Sequence, residues 1–184
     1  MIAAVWGFLQ HPTNEKLEAT SEERNTLFVR LLGTMVFLSI LFGLLIGSFS
    51  ELFDLDFGDH AVDELFKNYS LFTVLLLAVV LAPILEELLF RAPLTIFKNP
   101  AHFKYAYYVS ILLFGVIHIS NYSTIEGQYW AIPILVSPQL SAGVFLGYIR
   151  IKLGLFWSIL LHAAHNLVLT APLLVYLFLE IPLE

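Results

Sequence analysis

The sequence predicts an all-α fold: a polytopic bundle of about five to six transmembrane helices that follows a short N-terminal interfacial helix. Three observations predict this class. Hydrophobic residues make up 59% of the 184-residue chain, and its mean hydropathy is +0.82. Only 13% of the residues are charged, about half the share found in an ordinary soluble domain. Several apolar stretches reach the ~20 residues with which a helix crosses a bilayer.

Residues 1–26 form an N-terminal interfacial or cytoplasmic segment, and residues 27–184 form the transmembrane helical domain. Residues 1–9 are apolar but have neither a basic start nor a small-residue cleavage site. They therefore favour an interfacial helix anchored by Trp6 over a cleaved signal peptide. In the polar stretch that follows, residues 20–23 (Thr-Ser-Glu-Glu) predict a helix start with acidic residues in its first turn.

Five apolar stretches are long enough to cross a membrane. They are residues 27–49, 71–97, 105–122, 130–149 and 155–179. An acidic loop, residues 51–68, separates the first two stretches, and basic turns at residues 98–104 and 150–152 follow the second and the fourth. Pro172 lies inside the last stretch and predicts a kink or a split, which would create a sixth short segment.

Basic and acidic connections alternate along the chain, and this alternation predicts the orientation of the bundle. Lysine and arginine precede the first stretch and occupy the two basic turns, whereas the other loops hold mainly acidic residues. Under the positive-inside rule, the pattern predicts an integral membrane protein with a cytoplasmic N-terminus. We expect it in the inner (plasma) membrane of a prokaryote.

Charge and cysteine content argue against several classes of protein. The net charge of −6 and the lack of a run of lysine or arginine predict no nucleic-acid partner. The chain has no cysteine, which excludes a disulfide framework, thiol chemistry and a cysteine-ligated metal site.

Polar clusters inside the apolar stretches are the best indication of function, because an ionisable side chain near the bilayer centre costs several kcal/mol. The candidate catalytic residues are Glu86, Glu87 and Arg91 in the second stretch, His118 in the third, and His162 with Asn166 in the fifth. Glu86 lies about fifteen residues before a turn near Ala101 and His118 about seventeen after it, so both lie ~20–25 Å along their helices. His162 lies ~16 Å beyond the next basic turn. The three clusters are therefore predicted to meet near mid-membrane, with access from the cytoplasmic side.

Helical spacing predicts which of these side chains share a face. Glu87 and Arg91 are four residues apart and can pair, and His162 and Asn166 point the same way on another helix. A carboxylate, two imidazoles and a carboxamide in a dry pocket can hydrolyse an amide, because the carboxylate takes a proton from water and the other groups stabilise the oxyanion. We predict Glu86 as the base and Glu87 as the partner of Arg91, although the spacing alone allows the reverse.

Zinc is a competing use for the same groups. Two histidines and a glutamate match the ligand set of a catalytic zinc ion, and here they would be Glu86, His118 and His162. The chain has no HExxH motif, and the three ligands would come from three helices. The cofactor thus stays open between none and a divalent metal such as zinc.

Three motifs resemble those of a known family. Residues 82–91 (Ala-Pro-Ile-Leu-Glu-Glu-Leu-Leu-Phe-Arg) resemble the EExxxR motif of the CAAX protease and bacteriocin-processing family, also called CPBP or Abi. Residues 114–118 resemble its FxxxH motif, and residues 162–166 resemble its HxxxN/D motif. The three occur in the family's order across residues 83–166.

The resemblance implies an intramembrane endopeptidase that cleaves a membrane-associated or lipidated substrate with a glutamate-activated water. It implies that Glu86 and His118 activate the water and that His162 and Asn166 stabilise the oxyanion. The implied partners are membrane lipids, a peptide or membrane-protein substrate, and subunits of a larger membrane complex.

Two other functions compete with this reading. Members of the family often have about eight spans, and the five predicted here favour a non-catalytic scaffold or bacteriocin-immunity subunit. Buried glutamate and histidine chains also serve proton or ion pathways. The lack of repeated halves argues against a secondary transporter.

Overall fold

The structure is a computed structural model that describes residues 1–58 and 60–178. Within these ranges the fold is all-α, with one isolated antiparallel bridge between His60 and Tyr122. Five helical units are long and apolar enough to cross a membrane, which confirms the predicted polytopic bundle. In chain order, spans 1 to 5 are Ser21–Leu52, Leu71–Ile96, Pro100–Asn121, Tyr129–Lys152 and Leu155–Pro172.

The helices that build these units differ in regularity. Helix α1 is Ile2–Gln10, α2 is Ser21–Leu52 and forms span 1, and α3 is Ala61–Asn68. Span 2 comprises α4 (Leu71–Leu75), a π-helical segment (Leu76–Leu81), α5 (Ala82–Phe90) and a 3₁₀ turn (Ala92–Ile96). Span 3 comprises α6 (Pro100–Ile117) and a 3₁₀ turn (His118–Asn121). Span 4 comprises a 3₁₀ turn (Tyr129–Ala131), α7 (Ile132–Leu135) and α8 (Ser137–Lys152). Helix α9 (Leu155–Phe178) contains span 5.

Span 1 begins where the predicted helix start lies. The Thr20 side chain accepts a hydrogen bond from the Glu23 backbone N–H, and the Thr20 backbone N–H donates to the Glu23 carboxylate over 2.7 Å. This reciprocal capping box satisfies two amide groups at the helix start. The helix therefore runs from Ser21 rather than from residue 27, because the cap and not the first apolar residue decides where it begins.

Two predicted details of the connections are wrong. The acidic loop contains α3, in which Leu65 and Phe66 are half-buried while Glu64 and Lys67 are exposed, so an apolar face holds a short helix against the bundle. The predicted split at Pro172 does not occur, because α9 continues through it to Phe178. A proline removes one backbone donor, and a membrane helix tolerates that loss. The last residue of the predicted fifth stretch lies outside the described residues.

Aromatic side chains fill the end of the bundle that carries the two basic turns, which we call the basic end. Phe8 of α1 packs edge-on against Tyr107 and Tyr148, with ring centroids 5.2 and 5.3 Å away. The Tyr107 ring lies so close to span 4 that a Cβ on Gly147 would meet it at 2.6 Å. The segment after α1 adds to this packing, since the Leu17 amide donates to the Lys152 carbonyl. The basic end is therefore closed by packed side chains.

Candidate active site

A cavity of about 530 Å³ lies in the half of the bundle away from the basic end. Its lining residues fall within 39–46, 60–66, 78–86, 114–122, 138–142 and 162–170. All five spans, α3 and the residue after span 3 contribute to it. The cavity contains Glu86, His118, His162 and Asn166, whereas the described lining includes no residue of the basic turns. Access from the cytoplasmic side stays a prediction, and aromatic packing fills the end that carries the basic turns.

The predicted convergence of the polar clusters is confirmed. Glu86 Oε2 lies 3.6 Å from His162 Nε2 and 3.9 Å from His118 Nε2. The Glu86 side chain keeps 26% of its surface exposed, yet Oε2 itself is buried and has no hydrogen-bond partner among the described residues. Three spans thus bring two ring nitrogens within 3.9 Å of one carboxylate oxygen.

The hydrogen-bond partner of each histidine Nδ1 determines whether Nε2 of the same ring can accept a hydrogen bond. His118 Nδ1 lies 2.6 Å from the Phe114 carbonyl oxygen, and His162 Nδ1 lies 3.0 Å from Glu87 Oε1. A carbonyl and an ionised carboxylate only accept, so each Nδ1 carries the hydrogen and each neutral ring presents Nε2 as an acceptor. Three acceptors therefore face one another with no donor between them.

A water molecule is the natural donor for this arrangement. It brings two O–H groups, and the separations of 3.9 and 3.6 Å allow a water to bridge Glu86 Oε2 and either Nε2 atom at about 2.8 Å from each. Donating both hydrogens would satisfy the orphaned Glu86 oxygen and one imidazole. The same geometry places the water oxygen beside a carboxylate that can take its proton.

Glu87 has a different environment from Glu86 and is fully buried. Arg91 Nη1 lies 3.6 Å from Glu87 Oε1, and both side chains have 0% exposure. Ser158 donates to the other Glu87 oxygen, while the Phe114 ring lies 3.9 Å from Arg91 Cζ. The two adjacent carboxylates thus have separate environments, with Glu87 compensating the arginine and Glu86 facing the cavity; the spacing alone had allowed the reverse.

Polar groups on spans 3 and 4 fix the end of the helix that carries Glu86. The last carbonyls of a helix lack internal donors. The Ser110 hydroxyl donates to the Phe90 carbonyl over 2.8 Å, and Arg150 Nε donates to the Arg91 carbonyl over 3.0 Å. Arg150 was expected in a basic turn; it lies near the end of α8 and is 9% exposed, because its side chain reaches these carbonyls.

Pro83 explains why Asn166 lies where it does. In the π-helical segment the Ala82 N–H donates to the Leu77 carbonyl, so the next amide in this register would donate to Ala78. That next residue is Pro83, which has no N–H. The Ala78 carbonyl instead accepts a hydrogen bond from Asn166 Nδ2 over 2.9 Å. One hydrogen of the Asn166 amide therefore joins span 5 to span 2, and the other is left for the cavity.

A double-mutant cycle tests this relation between Pro83 and Asn166. Asn166→Ala leaves the Ala78 carbonyl without a partner, and we expect it to lower the free energy of unfolding by about 1–3 kcal/mol. Pro83→Ala restores an amide that can donate to the same carbonyl, so the cost of Asn166→Ala should be smaller in that background. Pro133→Ala is the matched proline control, because it lies far from Ala78 in the sequence. Equal costs of Asn166→Ala in all three backgrounds would contradict the assignment.

Further polar residues contribute to the site beyond the candidate catalytic residues. His165 lies with Nε2 2.9 Å from the Ser39 hydroxyl, which joins span 5 to span 1 beside the cavity. Gln139 lines the cavity, and its Oε1 is buried without a hydrogen-bond partner in the described part of the chain. Ser110 and Ser158 are single hydroxyls in apolar helices, and their burial is the signal that could have drawn attention to them.

Zinc is the competing use of these groups. Zinc requires its donors ~2.0–2.2 Å from one centre. In the described ranges no group of three or more histidine, cysteine, aspartate or glutamate side chains is arranged to hold a metal ion. The Nδ1 atoms of His118 and His162 are held by Phe114 and Glu87, and their Nε2 atoms lie 3.9 and 3.6 Å from Glu86 Oε2. We therefore derive no step through a metal.

Comparison with known proteins gives one match that covers this site. A family model described as type II CAAX prenyl endopeptidase Rce1-like matches residues 68–168, more than half of the 184-residue chain. The matched range begins at the end of α3 and includes the three motifs and the cavity residues around Glu86. No curated protein and no solved structure matches the chain. The chain therefore belongs to the Rce1-like family of type II CAAX prenyl endopeptidases, which are CAAX protease-type intramembrane endopeptidases.

Proposed function

We propose that this integral membrane protein is an active intramembrane endopeptidase that hydrolyses a peptide bond of a membrane-associated or lipidated polypeptide with a glutamate-activated water. The single observation that carries the proposal is the meeting of three polar atoms, Glu86 Oε2 and the Nε2 atoms of His118 and His162, at the cavity. This arrangement binds and polarises water, and the family membership supports the choice of a peptide bond as the target.

The first step is attack by water on the carbonyl carbon of the scissile bond. Glu86 accepts one proton from the water while the water oxygen forms the new C–O bond. His118 accepts a hydrogen bond from the second hydrogen of the water. The carbonyl π electrons move to its oxygen and form an oxyanion. Glu86 then delivers the proton to the amide nitrogen as the C–N bond breaks, so that a carboxylic acid and an amine leave.

The oxyanion requires donors, and two residues can supply them. Asn166 has one amide hydrogen that Ala78 does not use. His162 donates from Nε2 only when its ring is protonated, and the Glu87 carboxylate at Nδ1 then provides the opposite charge. These roles agree with those implied by the motif resemblance, and the buried Arg91 balances the charge of Glu87.

The location and partners of the protein follow as part of the proposal. The positive-inside rule supports a cytoplasmic N-terminus, and we assign the protein to the plasma membrane of a prokaryote. Its surroundings are membrane lipids and a peptide or membrane-protein substrate, with no nucleic acid.

Cleavage of quenched fluorescent peptides tests the proposal. A library in prenylated and unprenylated forms is incubated with the purified protein in lipid nanodiscs, and the new termini are identified by mass spectrometry. We expect internal cleavage by the wild type and none by Glu86→Gln at equal folded fraction. Absence of turnover by a folded wild-type protein on every library member would overturn the proposal and favour a non-catalytic scaffold or immunity subunit.

A further inference from the structure

We propose that Gln139 binds the backbone of the substrate: its side-chain carboxamide accepts a hydrogen bond from one backbone N–H of the substrate and donates one to a backbone carbonyl. The substrate is then a polypeptide that is extended beside the scissile bond, because a helix already uses its N–H groups internally. This inference rests on the proposed endopeptidase function. It adds a residue that holds the substrate to those that activate the water.

Two buried side-chain atoms of the cavity lining have no hydrogen-bond partner among the described residues. They are Glu86 Oε2 and Gln139 Oε1. A water that bridges to a histidine nitrogen 3.6 or 3.9 Å away serves Glu86 Oε2, whereas no step of the water activation uses Gln139 Oε1. A buried acceptor without a partner weakens folding, so its presence in a cavity indicates a donor that arrives with a ligand.

Packing of span 4 against span 2 places Gln139 near the level of Glu87. A Cβ added to Gly143 would lie 3.4 Å from Arg91 Nη2, so α8 passes the arginine at this glycine. Gln139 is four residues before Gly143 and shares its helix face, as Glu87 is four residues before Arg91. Spans 2 and 4 both run toward the basic end, so both steps move ~6 Å in the same direction.

Packing of span 4 against span 3 gives the same level. A Cβ added to Gly115 would meet Leu140 Cδ2 at 2.5 Å, so the two helices are in close contact beside Gln139. Gly115 is three residues before His118, which lines the same cavity. Gln139 therefore lies within about one helical turn of the level at which the water is activated, on a span that contributes no other group to the chemistry.

The carboxamide of a glutamine suits a peptide backbone because it carries the same kinds of donor and acceptor as a peptide group. An extended chain leaves its N–H and C=O groups available for such a partner. Main-chain hydrogen bonds of this kind provide affinity without reading the side chain of the residue that makes them. Gln139 is thus a residue that fixes the position of the substrate backbone relative to Glu86 and tolerates variation of the substrate sequence.

Replacement of single backbone amides by esters in a bound peptide tests the contact, since each ester removes one N–H and keeps the chain length. The parent protein is Glu86→Gln in lipid nanodiscs, and the probe is the library peptide that it binds most tightly by fluorescence anisotropy. Each ester peptide is compared on the parent and on the parent with Gln139→Met, which lacks the carboxamide. Gln128→Met is the matched control, because Gln128 Oε1 is also buried without a partner in the described part of the chain but lies outside the cavity lining.

We expect one ester position to weaken binding to the parent about 3- to 10-fold, as the loss of one hydrogen bond does, and to leave binding to the Gln139→Met protein unchanged. The Gln128→Met protein should keep the full ester effect. Gln139→Met should unfold at a temperature no lower than the parent, because it removes an unpartnered acceptor, and Gln139→Leu replaces it if it does not fold. An equal ester effect with and without Gln139, or no ester effect at any position, would overturn the proposal.

Binding and cleavage together separate this inference from the proposed function. Cleavage by the wild type combined with an equal ester effect rejects the role of Gln139 and keeps the endopeptidase. An ester effect that depends on Gln139 in a protein that cleaves no library peptide keeps the backbone contact and rejects the hydrolysis. A wild-type protein that neither binds nor cleaves any library peptide rejects both.

Discussion

Glu86→Gln should lower kcat by about 10²- to 10⁴-fold while the protein stays folded, because the variant loses a general base but keeps the side-chain volume. Glu86 Oε2 makes no hydrogen bond with another residue in the described part of the chain, and the side chain is 26% exposed. An amide in its place can donate to the Nε2 atom of a neighbouring histidine, so the unfolding midpoint should change little. The measurement is a single-turnover rate on the best library peptide, combined with thermal unfolding of both proteins.

The matched control for this prediction is Glu126→Gln. It makes the same chemical change on an exposed side chain in the loop after span 3, which neither lines the cavity nor contacts the histidines in the structure. Its rate should stay within about twofold of the wild type, since single surface substitutions away from the site rarely matter. A Glu86→Gln protein that retains more than a tenth of the wild-type rate would show that another group takes the proton.

The general layout of this site could be predicted because it depends on helical periodicity and depth. Residues four apart share a helix face, so the sequence favours the pairing of Glu87 with Arg91 that the structure contains. The distances of Glu86 and His118 from one turn place them at the same level along span 2 and span 3. The same reasoning finds the five spans, because each contains enough consecutive apolar residues to cross a bilayer.

The fine structure of the site could not be predicted in this way because it depends on which backbone groups lack partners. The Ala78 carbonyl accepts a hydrogen bond from Asn166 because Pro83, which has no N–H, occupies the position that would donate to this carbonyl in the π-helical register. A regular helix, as assumed from the sequence, gives no sign that this carbonyl lacks a backbone donor. Burial of Arg150 has the same origin, since it donates to a carbonyl at the end of a helix. The side of the cavity is a further case, because the bulk of rings such as Tyr107 closes the other end. Helical periodicity does not show which side chain will meet an unpartnered backbone carbonyl, or which ring will fill one end of the bundle.

Arg91→Met should lower the free energy of unfolding by about 3–5 kcal/mol, because it leaves Glu87 as a buried charge without its arginine. Both side chains have 0% exposure, and the guanidinium makes no hydrogen bond with the other described residues. Its stabilisation therefore comes from the carboxylate 3.6 Å away and from the Phe114 ring 3.9 Å away. Denaturant titration of the detergent-solubilised protein measures the loss, and Arg30→Met, an exposed arginine of span 1, is the matched control.

A second substitution separates the loss of charge balance from the loss of packing. In Arg91→Met/Glu87→Gln the buried carboxylate is neutral, so the double variant should recover part of the stability that Arg91→Met loses. The remaining deficit combines the lost contact of the guanidinium with Phe114 and the changed hydrogen bonds of residue 87 to Ser158 and His162. If the double variant is no more stable than Arg91→Met, Glu87 is not the charge that Arg91 compensates. Stability close to the wild type in Arg91→Met would mean that the pair contributes nothing to folding, and the role of Arg91 would then have to be sought in how Glu87 orients His162.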